Sequence, residues 1–237
     1  KEILRWPKHI EKISSVHVVA KSEFNEMNQY LKIPKEKMTV ISHGVDHDHF
    51  KLPENKSETR KKILKKFNLT DEPYFIHVSE TNYVRKNLFR MLDGFKKAKE
   101  KKIPQKLILV GKTLPSISKK IQEYDDVIAL GFVSDDELIS LMQGSDAIIL
   151  PSIHEGFGMP LLEAMACGTP SIWSECSGQL EFAKGLGLPV KISHKEPAQR
   201  GEFHSFHRHL LAGEFYEPDF NDLKKVMRDA YKNYDKH

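Results

Sequence analysis

Cysteine is scarce in this chain, and long apolar runs are missing. Only Cys167 and Cys176 occur among 237 residues. Two cysteines are too few for a disulfide framework and lack metal-ligand spacing, so the composition points to a reducing, cytoplasmic compartment. Uninterrupted apolar runs such as "AIIL" at 147–150 fall far short of the roughly 20 residues that cross a bilayer. A large charge of one sign is also lacking. Lys and Arg number 37 against 33 Asp and Glu, a net charge of +4 and a pI near 8.8. That mild excess suits an anionic ligand or peripheral contact with a membrane surface, without the dense basic stripe of a nucleic-acid binder. No signal peptide, internal repeat or low-complexity tract is visible. The chain begins at Lys1 rather than methionine, and the expectation is that something upstream is missing.

What is present is a regular alternation. From residue 73 to 190 the apolar runs "YFIHVS", "KLILVG", "VIALGFV", "AIILPS", "PSIWS" and "LPVKI" read as strands separated by helical patterns. Their runs are continuous rather than alternating in and out, which is how a parallel sheet covered on both faces reads. The fold class is therefore α/β with a doubly wound parallel sheet. "SDDELISLMQG" predicts a helix at about 135–143, with Ser134 as cap and Glu137 completing a capping box. Leu88, Met91, Leu92, Phe95 and Ala98 mark another over 87–102, and residues 220–230 an amphipathic terminal one. Strand "VHVVA", a helix over "SEFNEMNQYLKI" and strand "MTVISHGV" form a separate unit at 16–45. The polar stretch "LPENKSETRKK" reads as linker, so residues 1–50 are expected to close one domain and 51–237 to form the next. Residues 193–219 show no period and read as an exposed loop. Its His204, His207 and His209 have no acids or cysteines at ligand spacing, and no metal site is expected there.

Ligands of an open parallel sheet bind beyond the carboxyl ends of its strands. Arg85 and Lys86 follow the first strand of this region, Lys112 the second, Phe132 and Val133 the third, and "IHEGFGMP" the fourth. Pro160 suits the first turn of a helix and Gly168 the position just past its end, which predicts a helix over 160–167. Its unpaired N-terminal amides form an anion site. Gly156 and Gly158 let the backbone approach a ligand closely, and a phosphate fits there. Glu155 before the turn can hold a sugar hydroxyl. Glu163, eight positions on and placed in the first helical turn, can hold a ribose diol.

"HEGFGMPLLEAMACGTP" at 154–170 resembles the signature of the retaining, nucleotide-sugar-dependent glycosyltransferases with the two-domain GT-B fold, the family that includes sucrose synthase and bacterial mannosyltransferases. "VISHGVDHDHF", "RKN" at 85–87, "GFVSDDELISLMQGSDAIILPS" and "SGQLE" at 177–181 resemble other family segments, so the likeness spans residues 16–190. It implies that Glu155 contacts the donor sugar, while Arg85 and Lys86 neutralise the diphosphate as the glycosidic bond breaks. Backbone amides of Phe157, Gly158 and Met159 would line sugar and phosphate, Glu163 would bind the ribose, and the backbone at Phe132 and Val133 the base. It further implies retention, no cofactor and no divalent metal; "DHD" at 46–48, similar to the acidic pair of another transferase fold, is discounted. The implied partners are a nucleotide-sugar donor and a glycan, lipid-linked or protein acceptor. A further N-terminal domain, in this or another chain, is implied too.

The chain departs from the pattern in three places. "SETNY" has Glu80, Thr81 and Asn82 where an arginine is common, leaving the phosphate clamp to Arg85 and Lys86, with Lys112 the weaker candidate. The histidine-rich insertion between Val190 and Tyr216 replaces a short connection. Only the last strand-helix-strand of an acceptor-side domain precedes the donor half. Two further readings are a nucleotide-sugar-binding module or partner subunit without independent turnover, and a sugar-nucleotide epimerase, which the glutamate spacing disfavours.

Overall fold

In the computed structural model, residues 11–79, 84–112, 115–197 and 214–232 are described. Six parallel strands form the main sheet: β3 (Tyr74–Val78), β4 (Lys106–Val110), β5 (Val127–Gly131), β6 (Ala147–Leu150), β7 (Ser171–Ser174) and β8 (Leu188–Val190), in the order β5-β4-β3-β6-β7-β8. The chain runs outward from β3 to β4 and β5, returns to the other side of β3, then runs outward again. That reversal between β3 and β6 is the topological switch point of a doubly wound sheet, where a crevice opens at the carboxyl ends.

Neighbouring residues along each strand serve opposite layers, which is why the strands read as continuous apolar runs. Phe75, Leu107, Leu109, Ile149 and Ile172 pack with helices α3 (Leu88–Lys99), α4 (Pro115–Ile121) and α7 (Phe220–Lys232). Tyr74, Ile76, Ile108, Ile148, Leu150 and Trp173 pack with α2 (Lys56–Lys66), α5 (Asp135–Gly144) and α6 (Met159–Ala166). Helix α5 starts where the sequence predicts, with both halves of the Ser134–Glu137 capping box formed. No helix among the described residues is long and apolar enough to cross a membrane.

The N-terminal unit is a two-stranded parallel sheet, β1 (Val16–Val18) with β2 (Met38–Val40), joined by α1 (Lys21–Leu31). It has its own small apolar cluster around Ile33 and Met38.

Two parts of the sequence reading need correction. The second half of the stretch read as linker is helix α2. Only Ile63 and Leu64 of it are buried, so no apolar period announces it. Its local signals are the Asn55 side chain accepting from the Glu58 amide, and a Glu58–Lys62 ion pair one turn apart. The segment read as a loop contains an antiparallel hairpin, β9 (Ile192–Pro197) with β10 (Glu214–Pro218). β9 is mostly exposed and β10 half-buried to buried, and neither shows in-out alternation; their ladder joins residues some twenty positions apart, a pairing that local pattern cannot reveal. His204, His207 and His209 lie outside the described residues, as do Glu80, Thr81 and Asn82.

Candidate active site

The crevice begins inside the sheet. Pairing between β3 and β6 runs from Phe75↔Ala147 to Ile76↔Ile148. One residue on, the buried His77 imidazole contacts the Ile149 carbonyl through Nδ1 at 2.8 Å and the Ser79 hydroxyl through Nε2 at 2.9 Å. With Nδ1 donating and Nε2 accepting, the ring is neutral, and burial pushes its pKa down to about 4. The two strands then release their chains in opposite directions.

The loop from β3 ends in Asn87, held at φ 57°, a left-handed conformation that asparagine tolerates better than most residues. The turn is stitched to the loop from β6 by the Ile153 amide donating to the Arg85 carbonyl at 2.9 Å. Arg85 and Lys86 thereby meet Glu155. Arg85 Nη1 donates to Glu155 Oε2 at 2.6 Å and Lys86 Nζ to Oε1 at 2.7 Å. The Ser152 hydroxyl adds a bond to Oε1 at 2.6 Å, and the Glu155 amide donates to Ser177 Oγ at 2.9 Å.

Burial opposes ionisation of Glu155, but Lys86 and Arg85 outweigh it and hold the carboxyl below its ordinary value. Burial lowers Lys86 as well, with Glu155 working against it. The directions conflict only superficially: the pair is ionised at neutral pH because each partner offsets the other's desolvation. One carboxylate here is shared by two cations, one on each oxygen.

Beyond Glu155 the turn leads into α6. Gly158, the N-cap, sits at φ 100°, a backbone conformation that side chains resist. Among the described residues the amides of Phe157, Gly158 and Met159 donate to no protein acceptor. Three successive N–H groups at the amino end of a helix, in the turn that follows the Glu155 partner of half-buried Arg85 and buried Lys86, can hold an anion. The Phe157 ring is buried, edge-on to His43 at 5.3 Å and tilted against Phe182 at 5.0 Å. A Cβ on Gly156 would meet nothing within 4 Å, so there is open space at this position.

The remaining candidates sit around this centre. Glu163 is the fifth residue of α6 rather than part of its first turn, since the helix starts one residue earlier than predicted. Burial, with the Asp135 charge adding, raises its pKa. Phe132 presents an 89 % exposed side chain on the rim after β5, beside buried Val133. Lys112, at the end of β4, is exposed and makes no hydrogen bond or ion pair among the described residues. Asp46 of "DHD" turns the backbone, accepting from the amides of Asp48 and His49.

Three supporting residues had no role in the sequence reading. Ser152 and Ser177 brace Glu155 from the loops after β6 and β7. Gly178 explains the small residue in "SGQLE": a Cβ there would lie 1.9 Å from the Gly156 carbonyl oxygen. The available signal was a Ser-Gly pair directly after a buried strand, on the same rim as the glycine-rich turn.

Comparison with known proteins agrees with this architecture. An uncharacterized glycosyltransferase of Methanocaldococcus jannaschii is 29% identical over 92% of this chain and 56% of its own length. N-acetyl-alpha-D-glucosaminyl L-malate synthase of Bacillus anthracis is 31% identical over 71% and 43%. The chain thus spans about half the length of these curated relatives. The crystal structure of Anabaena HepE in complex with UDP-glucose matches the fold with a TM-score of 0.67 at 17% identity, over 99% of this chain and 63% of that one. The fold is that of the GT-B glycosyltransferases. The model of the family described as "Glycosyl transferases group 1" matches residues 59–187, more than half of the chain, and the chain belongs to that family.

Proposed function

We propose that this chain is the donor-binding half of a retaining, nucleotide-sugar-dependent glycosyltransferase. One observation carries the reading: three unpaired amides, Phe157 to Met159, open at the switch point beside the Arg85–Glu155–Lys86 cluster. As the bond between the sugar's anomeric carbon and the diphosphate breaks, negative charge grows on the leaving oxygen. Lys86, Arg85 and the amides stabilise that charge without reorganising; a single preorganised donor of this kind is worth about 100- to 1,000-fold in rate. Glu155, kept in place by Arg85, Lys86 and Ser152, uses its remaining acceptor capacity for the sugar hydroxyls. Glu163 holds the ribose, and the exposed Phe132 ring with the adjoining backbone receives the base. The cations do the work that a divalent metal does elsewhere, so transfer proceeds without one.

The acceptor is a glycan, lipid-linked or protein hydroxyl, presented with a fuller N-terminal domain in this or another chain, in the cytoplasm or at a membrane surface. A second reading is a nucleotide-sugar-binding module or partner subunit without independent turnover.

Calorimetry with UDP, GDP and ADP, free and sugar-linked, tests the reading. One nucleoside diphosphate should bind without added metal. Lys86→Ala should weaken it by at least tenfold, and Glu163→Ala by roughly tenfold through lost ribose bonds worth about 1.5 kcal/mol. Unchanged affinity in Lys86→Ala, or no binding by any member of the panel, rejects it.

A further inference from the structure

The β9–β10 hairpin does more than decorate the edge of the fold. Together with α1 and the turn after β7 it borders an open-sided pocket of about 380 Å³, within the size range of small-molecule sites. We propose that this cavity binds a saccharide ring of the acceptor; its role as acceptor site, though not the binding itself, rests on the glycosyltransferase reading above.

The lining selects the ligand class. Lys21 and Lys195 face Glu26, Glu181 and Glu214, two cations against three carboxylates, so a phosphate or polyanion gains nothing there. Leu180 is the only aliphatic side chain among the lining residues, too little to desolvate an acyl chain. The rest of the surface is carboxylate, amide, hydroxyl and tyrosine. Groups of this kind donate to and accept from adjacent hydroxyls, while aromatic surface covers the apolar C–H face of a sugar.

Several of these groups have bonding capacity to spare. Glu26 Oε2 contacts His154 Nε2 at 3.2 Å, but its Oε1 is buried without a partner, an arrangement that costs stability unless something fills it. The Asn25 and Gln29 amides make no hydrogen bond among the described residues. The opposite wall is braced: Lys195 pairs with Glu214 at 3.0 Å and lies 4.9 Å from the Tyr216 ring centroid.

Position then connects the cavity to the chemistry. Ser177 lines it and also accepts the Glu155 amide. Glu26 carries His154, the neighbour of Glu155, and the Tyr216 amide donates to the Ile153 carbonyl at 2.8 Å. A ring seated here lies against residues that hold the loop bearing Glu155.

The test uses the intact chain and saturation-transfer NMR with the methyl glycosides of mannose, glucose, galactose and N-acetylglucosamine at millimolar concentration, with inorganic phosphate and a short-chain fatty acid as competitors. At least one glycoside should give a signal that neither competitor removes. The exposed pair Asn25→Ala/Gln29→Ala should weaken it at least tenfold, and Glu26→Gln should weaken it while the fold is retained by circular dichroism. Nucleoside diphosphate affinity, read by calorimetry on the same samples, should stay within twofold for the Asn25/Gln29 pair. No glycoside signal from a chain that binds the nucleotide, a signal untouched by these variants, or displacement by phosphate or fatty acid overturns the proposal. A glycoside signal lost in the variants, from a chain that binds no nucleotide, leaves the cavity standing and sinks the donor reading instead.

Discussion

Two buried charge clusters sit at opposite ends of the same strands. At the amino ends, Asp146 just before β6 accepts from Arg60 of α2 at 3.1 Å and from the Gln105 amide just before β4 at 3.0 Å. Lys56 lies near enough for Asp146 to raise its pKa, though burial dominates and brings it down to about 8. At the carboxyl ends, Glu155 accepts from Arg85, Lys86 and Ser152. Both clusters tie helix and loop to the sheet, and both place a carboxylate of the β6 region at the centre. In the first, the carboxylate contacts one cation and one neutral amide. In the second it is shared by two cations, and the turn that follows carries amides with no acceptor among the described residues. The difference teaches that a buried ion pair by itself reports architecture, whereas an ion pair followed in the chain by a run of open hydrogen-bond donors reports a site.

Removing each carboxylate breaks the comparison most directly. Glu155→Ala and Asp146→Ala should each cost about 3 kcal/mol, because each removes a buried carboxylate from wholly or partly buried cations that it contacts; urea denaturation measures this. A nucleoside diphosphate should then restore stability to Glu155→Ala more than it stabilises the parent, and should do nothing for Asp146→Ala. Equal rescue of both would erase the distinction.

His77 sharpens the contrast through pH. Its folded pKa near 4 lies below the ordinary value of about 6.5, so the unfolded chain binds the proton first. The stability it contributes is complete above about pH 6.5 and lost as pH falls toward 4, up to about 3 kcal/mol. His77→Asn keeps a donor for the Ile149 carbonyl but does not titrate, and its stability should lose this slope; an unchanged slope would put the proton elsewhere. The smallest effect is expected far from both clusters. Ser134→Ala should cost about 1 kcal/mol by uncapping α5 and leave ligand affinity unmoved.

The sheet was legible because its strands are buried on both faces, and burial writes itself into sequence as Val, Ile and Leu. Capping chemistry made α5 legible, and the pairing of Pro160 with Gly168 bounded α6 to within a residue. Helix α2 escaped because a surface helix held by ion pairs has almost no apolar period. The hairpin escaped because its register depends on distant pairing. At the site, Arg85, Lys86 and Glu155 could be picked out by residue type and strand order. Their direct contact could not, since it follows from how tightly two loops approach. The off-by-one start of α6 moved Glu163 out of the first turn for a similar reason: Gly158, not a polar side chain, caps the helix.

The contact between Gly178 and the Gly156 carbonyl has an implication for anyone wishing to change what this protein accepts. The two loops meet backbone to backbone, with no side chain between them to absorb a shift. Grafting residues 154–159 from a relative would therefore carry over a shape without the surface it was moulded on. Exchange of donor preference should succeed only when 154–159 and 177–179 travel together, as a single inherited unit.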